Sequence, residues 1–165
     1  HRGTHKKFKQ ATLSSLCILF EANLRLGGLH RYHYTIEEGH VGNADGVGFI
    51  FDVKVRRTNI QKVHSIFLNR HGQICMRSCD VIHKTAYFLP KLALGTHVYL
   101  TIDLDHAWAR FEMDDAEGNH FDTKHVKFEQ LLHEAAQRGA GFAAPGMTSG
   151  FFCTIVTDSI KVSLY

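Results

Sequence analysis

Cationic and amide side chains are concentrated in the polar segment 54–62 (KVRRTNIQK), which follows a strongly apolar stretch. Arg56 and Arg57 carry forked guanidinium groups, which bind carboxylates and phosphates through paired hydrogen bonds. Asn59 and Gln61 add amide donors and acceptors. Because loops on a rigid scaffold commonly carry binding residues, we predict that this segment contributes to a partner-binding surface. A solvated connection that binds nothing is the alternative.

The chain contains a single tryptophan, Trp108, and Arg110 follows it two positions later. If the apolar residues between and after them face a core, strand geometry places Trp108 and Arg110 together on the opposite, polar face. A large aromatic ring flanked by charges can anchor a protein partner or stack on a sugar ring. We therefore predict that both residues take part in partner binding. Burial of the tryptophan under a neighbouring element is the structural alternative.

A second loop, with the sequence Asn69-Arg70-His71-Gly72, lies between two apolar segments. Its arginine and amide groups can contact a partner, so Asn69 and Arg70 complete the set of predicted binding residues. The same four residues also fit an ordinary hairpin turn, which is the interpretation that the pattern favours.

Three acidic residues, Glu112, Asp114 and Glu117, form the pattern Glu-x-Asp-x-x-Glu. The run resembles the catalytic segment of laminarinase-like glycosidases, which are built on a sandwich of the same class. A retaining mechanism needs two carboxylates roughly 5 Å apart, one acting as nucleophile and the other as acid. Turn-forming residues follow the run at once, which indicates a strand that passes into an acidic loop. The pattern therefore favours a loop over a catalytic strand.

Histidine and cysteine form no metal-binding pattern in this sequence, although the chain has thirteen histidines and four cysteines. His30 and His33 stand three apart, which on a strand places them on opposite faces. Cys75 and Cys79 have no second pair at zinc-like spacing. We therefore predict no metal ion and no cofactor. The cysteine spacing fits no small disulfide framework, which favours a reducing, cytoplasmic compartment.

The elements that position these residues come from a chain of 165 residues, enough for one domain with one hydrophobic core. Apolar residues make up 44% and charged residues 21% of the chain, which is typical of a folded globular protein. The net charge of +3 is too small to indicate nucleic-acid binding, and no apolar run of about eighteen residues predicts membrane insertion. The polar, basic segment 1–10 is predicted to be a linker remnant, and 11–165 a single β-sandwich domain.

Alternation of apolar and polar residues with a period of two is the dominant pattern. It predicts strands at the following segments: 15–26, 31–37, 47–55, 63–68, 73–77, 87–89, 97–105, 108–113 and 151–165, the last as one long strand or two. Residues 128–138 instead have apolar side chains at helical spacing before Gly139, which predicts one short helix. Many short strands with one helix predict an all-β fold of two packed antiparallel sheets.

Several of these segments resemble strands of the SPRY domain, a member of the concanavalin A-like jelly-roll superfamily. Residues 31–37 (RYHYTIE) and 46–51 (GVGFIF) are similar to two of its early strands. The most similar segment is 95–111 (GTHVYLTIDLDHAWARF), and the closing stretch 151–165 (FFCTIVTDSIKVSLY) is similar to the last strands of the family. An acidic turn after the most similar segment and the predicted helix depart from the family pattern.

SPRY domains are mostly non-catalytic binding modules that use loops at one end of the sandwich. The resemblance therefore implies a non-catalytic module for protein–protein interaction, serving as a scaffold or targeting part of a larger cytoplasmic protein. Its partner is expected to be another protein or a peptide. Galectin-like lectins share the architecture, so a domain that binds a glycan is the alternative. A galectin-like site would expose Trp108 beside histidine, asparagine and arginine on a concave sheet.

Overall fold

The computed structural model describes residues 4–9, 15–19, 27–38, 41, 46–51, 64–78, 81–137, 149–155 and 159–164. Within these residues, twelve strands and one helix follow one another along the chain. The strands are β1 (Thr4–Lys9), β2 (Ser15–Leu19), β3 (Leu29–Glu38), β4 (Gly46–Ile50), β5 (His64–Asn69), β6 (Gln73–Ser78), β7 (Val81–Phe88), β8 (His97–Asp103), β9 (Trp108–Asp114), β10 (His120–Lys127), β11 (Ser149–Ile155) and β12 (Ser159–Leu164). The helix is α1 (Glu129–Gln137).

The strands form two six-stranded sheets. Sheet A has the strand order β1-β12-β3-β8-β9-β10, and sheet B has the order β2-β11-β4-β5-β6-β7. Every strand pair among the described residues is antiparallel. This arrangement confirms the predicted all-β fold, a jelly-roll sandwich of two antiparallel sheets with one short helix.

The hydrophobic core contains the inward side chains that the alternation predicts. Strands β8 and β9 alternate between partly exposed and buried residues along their whole length. Leu100 and Phe111, which lie opposite each other in this pair, are fully buried. Burial of each such side chain contributes about 1.5–3 kcal/mol. The alternation therefore determines which face of sheet A turns to the core and which turns to solvent.

Aromatic side chains of β3 join sheet A to sheet B. The rings of Tyr32 and Phe49 meet edge to face with centroids 4.9 Å apart. The hydroxyl of Tyr34 donates a hydrogen bond to the carbonyl of Gly48, at 3.3 Å. A Cβ atom on Gly48 would lie 2.1 Å from the carbonyl oxygen of Ile66, so a larger residue does not fit there without a backbone shift.

The helix completes the core beside strand β6, against which it packs. Phe128, the residue before α1, is fully buried and its ring lies 5.1 Å from that of Phe51. The backbone N–H of Phe128 donates to the carbonyl of Ala107, at 2.8 Å. Leu131 in the first turn is also buried. The helix therefore forms where the sequence predicts it, with Arg138 outside the described residues.

Segment 1–10, for which the sequence predicts a linker remnant, contains a described strand. Thr4–Lys9 forms β1, which pairs with β12 at the edge of sheet A. A strand can join the edge of a sheet without an apolar face, because backbone groups make the hydrogen bonds of the pair. The polar sequence of Thr4–Lys9 has no apolar alternation from which a strand could be predicted. The domain boundary at residue 10 stays a prediction, although β1 belongs to sheet A.

Strand β10 is missing from the predicted strands because a bulge breaks its alternation. Asp122 pairs with Glu112 and His125 pairs with Arg110, so Thr123 and Lys124 stand together opposite Phe111. Two residues opposite one define a β-bulge, which changes the face to which the following residues point. Predicted strand residues 20–26, 52–55, 63, 156–158 and 165 lie outside the described residues.

Candidate binding face of sheet A

The solvent-facing side of sheet A collects charged and aromatic residues from four neighbouring strands. The strand register determines its members, because each lies beside a core residue that points the other way. This side, called the polar face below, consists of Arg31, His33 and Thr35 on β3, His97, Tyr99, Thr101 and Asp103 on β8, Trp108, Arg110, Glu112 and Asp114 on β9, and His120, Asp122, His125 and Lys127 on β10.

Arg110 and Asp122 form a two-point ion pair on the polar face. The Nε of Arg110 donates to Oδ1 of Asp122 at 3.0 Å, and Nη2 donates to Oδ2 at 2.5 Å. Such a two-point pair fixes the plane of the guanidinium as well as its position. These hydrogen bonds raise the pKa of Arg110 and hold the pKa of Asp122 well below its usual range. Both groups are therefore charged across the physiological pH range.

Glu112 connects this pair to the rest of the polar face. Its carboxylate lies 3.6 Å from a guanidinium nitrogen of Arg31 and 3.7 Å from one of Arg110. Nε2 of His120 lies 3.4 Å from the same carboxylate, and Nδ1 of His120 lies 2.6 Å from the carboxylate of Asp114. Its hydrogen bond to Asp114 raises the pKa of His120. Acidic and basic groups thus alternate across three strands.

A histidine pair and a tyrosine occupy the β3–β8 part of the polar face. Nε2 of His33 lies 2.8 Å from Nδ1 of His97, so the N–H of one ring donates a hydrogen bond to the unprotonated nitrogen of the other. The ring of Tyr99 stacks on His33 with centroids 4.5 Å apart, and the guanidinium of Arg31 lies 4.9 Å from the Tyr99 ring. Burial, with smaller effects of His97 and Arg31, lowers the pKa of His33. Burial and Asp114 raise the pKa of Tyr99.

The bulge of β10 brings His125 onto Trp108. The two rings are nearly parallel, 9° apart, with centroids at 3.7 Å. Lys124 adopts a positive φ of 60°, and the hydroxyl of Thr123 accepts a hydrogen bond from the backbone N–H of Phe111 at 3.0 Å. Without the extra residue, His125 would face the opposite side of the sheet. The bulge is therefore the backbone feature that pairs these two rings.

The structure brings two predicted binding residues together and separates them from two others. Trp108 and Arg110 lie on the polar face, with Trp108 half-buried. Asn69 and Arg70 lie at the β5–β6 turn of sheet B instead. The Oδ1 of Asn69 accepts from the backbone N–H groups of His71 and Gln73, both at 3.0 Å, so its side chain stabilises the turn.

The predicted binding residues Arg56, Arg57, Asn59 and Gln61 lie outside the described residues. Their role in partner binding stays a prediction.

The sequence identified only part of the polar face. It contained no signal that joined His33 to His97 or His125 to Trp108, since these pairs depend on strand order and on the bulge. The alternation in 31–37 does predict that Arg31 and His33 share a face. The alternation does not show which strand lies beside 31–37 in the sheet.

The acidic run lies on two different elements. Glu112 is on the face of β9, engaged by the cations described above, whereas Glu117 is exposed on the turn after the strand. Asp115 holds this turn by accepting from the backbone N–H groups of Glu117 and Asn119, at 3.0 and 2.8 Å. The acidic loop that the turn-forming residues indicate is therefore present.

The described ranges contain neither a metal-binding cluster nor a membrane-spanning helix. In that part of the chain, no group of three or more His, Cys, Asp or Glu residues could hold a metal ion. No helix of the described residues combines the length and apolar character that a bilayer crossing requires.

No protein-family model matches this sequence, and no curated protein matches it. Solved structures resemble it in fold. The SPRY domain of human HERC1 superposes with a TM-score of 0.61 at 14% identity, covering 92% of this chain and 82% of that domain. The chain has the SPRY/concanavalin A-like fold.

Two carbohydrate-binding proteins have the same architecture at lower similarity. Lectin II from Ulex europaeus gives a TM-score of 0.54 at 9% identity, with 94% of this chain and 83% of the lectin covered. The carbohydrate binding module CBM66 from Bacillus subtilis gives 0.53 at 12% identity, with 98% and 88% covered. Identities this low show the shared fold alone, and a fold supports many functions.

Proposed function

We propose that this chain is a non-catalytic binding module that recognises a protein or peptide partner through the polar face. The observation that supports this most is the continuous chain of charge contacts from Arg31 through Glu112 and Arg110 to Asp122. The rigid strands hold these groups in place before any partner arrives. Little side-chain entropy is then lost on binding.

The residue types on the polar face fit a protein partner. Tryptophan, tyrosine and arginine are the residues most often responsible for binding energy at protein interfaces. Trp108, Tyr99 and Arg110 lie on adjacent strands of this face, and Arg31 keeps 59% of its side chain exposed. Alternating charges also favour a partner whose charges have the complementary pattern. Their main effect is on specificity, and their effect on affinity is smaller.

A glycan is the second candidate ligand. Trp108 lies beside Arg110 and His125, a combination that offers an aromatic surface and hydrogen-bond donors to a sugar. The similarity in fold to a lectin and a carbohydrate binding module is consistent with this alternative. The stacked His125 covers one face of the indole, which argues against sugar stacking on that side.

The test compares capture of proteins by the wild-type chain with capture by Trp108→Ala and Arg110→Ala variants. Glu129→Ala, an exposed substitution on α1, is the matched control. We expect a protein to be retained by wild type and by the control but to be lost from both polar-face variants, while all four chains unfold cooperatively. A glycan array probed with the same four proteins tests whether the ligand is a glycan instead of a protein. Saturable glycan binding that depends on Trp108, without a protein partner, would replace our proposal.

The proposal includes the absence of catalysis and a cytoplasmic location. Glu112 and Asp114 participate in ion pairs that organise the face, which supports a structural role for these carboxylates. Hydrolysis of a β-glucan substrate by the wild-type chain that disappears in Glu112→Gln would contradict the first point. The buried thiol of Cys75, which forms no disulfide, supports the cytoplasmic location.

A further inference from the structure

Two of the four cysteines of the chain lie directly opposite each other in sheet B. Cys17 on β2 pairs with Cys153 on β11 in the register of these two antiparallel strands. Directly opposite residues of an antiparallel pair lie on the same face of the sheet. Because the two cysteines are far apart in the sequence, only the fold brings them to one position.

The backbone geometry of this position suits a disulfide. Opposite Cα atoms of an antiparallel pair are about 5.5 Å apart where the two residues exchange hydrogen bonds, and about 4.5 Å apart where they do not. Disulfides join cysteines whose Cα atoms are separated by about 4.4–6.8 Å. Both kinds of position fall within this range, so the bond can form without a change in the register of β2 and β11.

The two cysteines have no competing neighbour in their row of sheet B. The residue opposite Cys153 on its other side is Gly46 of β4, which has no side chain. Among the described strands, β2 is the last of sheet B on this side, so no described residue follows Cys17 in the row. Within the described strands, the only side chain directly opposite either cysteine therefore belongs to the other.

Cys75 is too far away to replace either member of this pair. It lies on β6, and strands β5 and β4 separate β6 from β11. Three spacings of about 4.8 Å place Cys75 roughly 14 Å from β11, whereas Cα atoms more than about 7 Å apart are not bridged without backbone movement. Burial also raises the pKa of the Cys75 thiol, which lowers the fraction present as the reactive thiolate.

We propose that Cys17 and Cys153 form a redox modification site, at which a reversible disulfide joins β2 to β11. Among the described strands, β2 pairs with β11 alone, so in the reduced protein a single backbone ladder holds it in sheet B. The disulfide attaches this edge strand covalently. Cytoplasmic disulfides are mostly transient, in keeping with a bond that forms only on oxidation. The site includes no residue of the polar face and goes beyond the function proposed above.

The oxidant is a small disulfide, such as glutathione disulfide. The thiolate of one cysteine attacks a sulfur of glutathione disulfide, which forms a mixed disulfide and releases one glutathione thiolate. The thiolate of the other cysteine then attacks the protein sulfur of the mixed disulfide, which forms the Cys17–Cys153 bond and releases the second glutathione thiolate. The two protein thiols lose two electrons and two protons, and glutathione disulfide becomes two glutathione thiols. Excess glutathione reverses both steps.

The test exposes the native full chain to glutathione disulfide, blocks the remaining thiols with N-ethylmaleimide and maps linked peptides by mass spectrometry without reduction. We expect the number of free thiols to fall from four to two, with Cys17 linked to Cys153, and dithiothreitol to restore all four. The urea midpoint of the oxidised protein is expected to lie at least about 1 M above that of the reduced protein, because the bond closes a long loop in the unfolded chain.

Two variants and an unfolded control make the test specific. The double variant Cys75→Ser/Cys79→Ser is expected to form the same disulfide with the same rise in urea midpoint, whereas Cys153→Ser is expected to show neither. Wild type oxidised in concentrated urea is expected to link Cys75 to Cys79 in preference, because the shorter loop closes at a lower entropic cost. Cys17 and Cys153 both alkylated in the oxidised native chain, a native link between other cysteines, or an unchanged urea midpoint would each overturn the proposal.

Discussion

Arg110 shows how a single residue organises the polar face. Its guanidinium is held by Asp122 through two hydrogen bonds and lies near Glu112, which in turn contacts Arg31 and His120. Because the carboxylate of Asp122 is largely covered, with 13% of its side chain exposed, it depends on this partner more than a surface carboxylate does. Residues of this kind are sensitive to substitution even though they lie outside the core.

Replacement of Arg110 by alanine is expected to lower the free energy of unfolding by about 1 kcal/mol, because Asp122 loses its guanidinium partner while both groups retain some contact with water. The matched variant Lys124→Ala removes the more exposed partner of Asp122, and its cost is expected to stay below about 0.5 kcal/mol. Urea denaturation at neutral pH measures both. Since the pKa of Asp122 is lowered on folding, its contribution is present above the ordinary carboxyl pKa and is lost as the pH falls through the lowered pKa. Equal stability of the two variants would contradict this role of Arg110.

Two histidines of the polar face are expected to affect stability with opposite dependence on pH. The pKa of His33 is lowered from 6.5, so its unfolded form binds more protons and stability declines as the pH falls from about 6.5 through the lowered pKa. The pKa of His120 is raised from 6.5, so its contribution is complete below that pH and is lost as the pH rises through the raised pKa. His33→Gln should flatten the acidic side of the stability profile, and His120→Gln the neutral side. Urea midpoints between about pH 5 and 8 measure both, and unchanged profiles would refute the assignment.

At the scale of strands and turns, irregular backbone positions determine which side chains meet. The bulge at Thr123 and Lys124 turns His125 toward Trp108. The β5–β6 turn depends instead on Gly72, whose φ is +88° and whose carbonyl accepts from the N–H of Leu89 at 2.7 Å. That contact attaches the loop after β7 to the turn, so the position of β7 depends on a glycine in another hairpin.

A pair of glycine substitutions separates conformational strain from steric conflict. Gly72 and Gly118 have similar positive φ values, +88° and +86°. A Cβ on Gly72 would lie 1.9 Å from the carbonyl oxygen of Leu89, whereas nothing lies within 4 Å of one on Gly118. Gly118→Ala is expected to cost about 1 kcal/mol of unfolding free energy, the strain of the left-handed conformation. Gly72→Ala is expected to cost more than about 3 kcal/mol. Thermal or urea denaturation that gave equal losses would show that the close approach at Gly72 is absent.

At the scale of the whole molecule, the two sheets differ in charge. Sheet A carries the acidic and basic residues of the polar face, whereas the strands of sheet B contain no acidic residue. The outward side of sheet A therefore carries alternating charges, whereas the charged side chains within the strands of sheet B are all basic.

A thiol count tests the cytoplasmic proposal for the whole chain. Cys17 and Cys153 occupy opposite positions in the register of β2 with β11, and Cys75 is buried with a pKa that burial raises. In a reducing compartment, all four cysteines of the sequence remain thiols. Denaturation of the purified protein without reductant, followed by titration with a thiol reagent, is expected to give four thiols per chain. Two thiols would indicate a cross-strand disulfide and an oxidising compartment.

Much of the fold could be predicted because burial follows a local pattern. The alternation in 97–105 and 108–113 correctly separated core residues such as Leu100 and Phe111 from the residues that face solvent. Helical spacing likewise located α1. The patterns failed where a strand had no apolar face, as in β1, and where a bulge changed the period, as in β10.

The sequence by itself determined the class of fold, the inward and outward faces of the central strands, and the presence of Trp108 and Arg110 on one face. These properties depend on periodicity within a single segment. Only the tertiary structure decided that β8 lies between β3 and β9, that His33 meets His97, and that β7 is the last described strand of sheet B and exposes apolar residues. These depend on strand order and register, which arise from contacts between residues far apart in the chain and leave no periodic trace within any one strand.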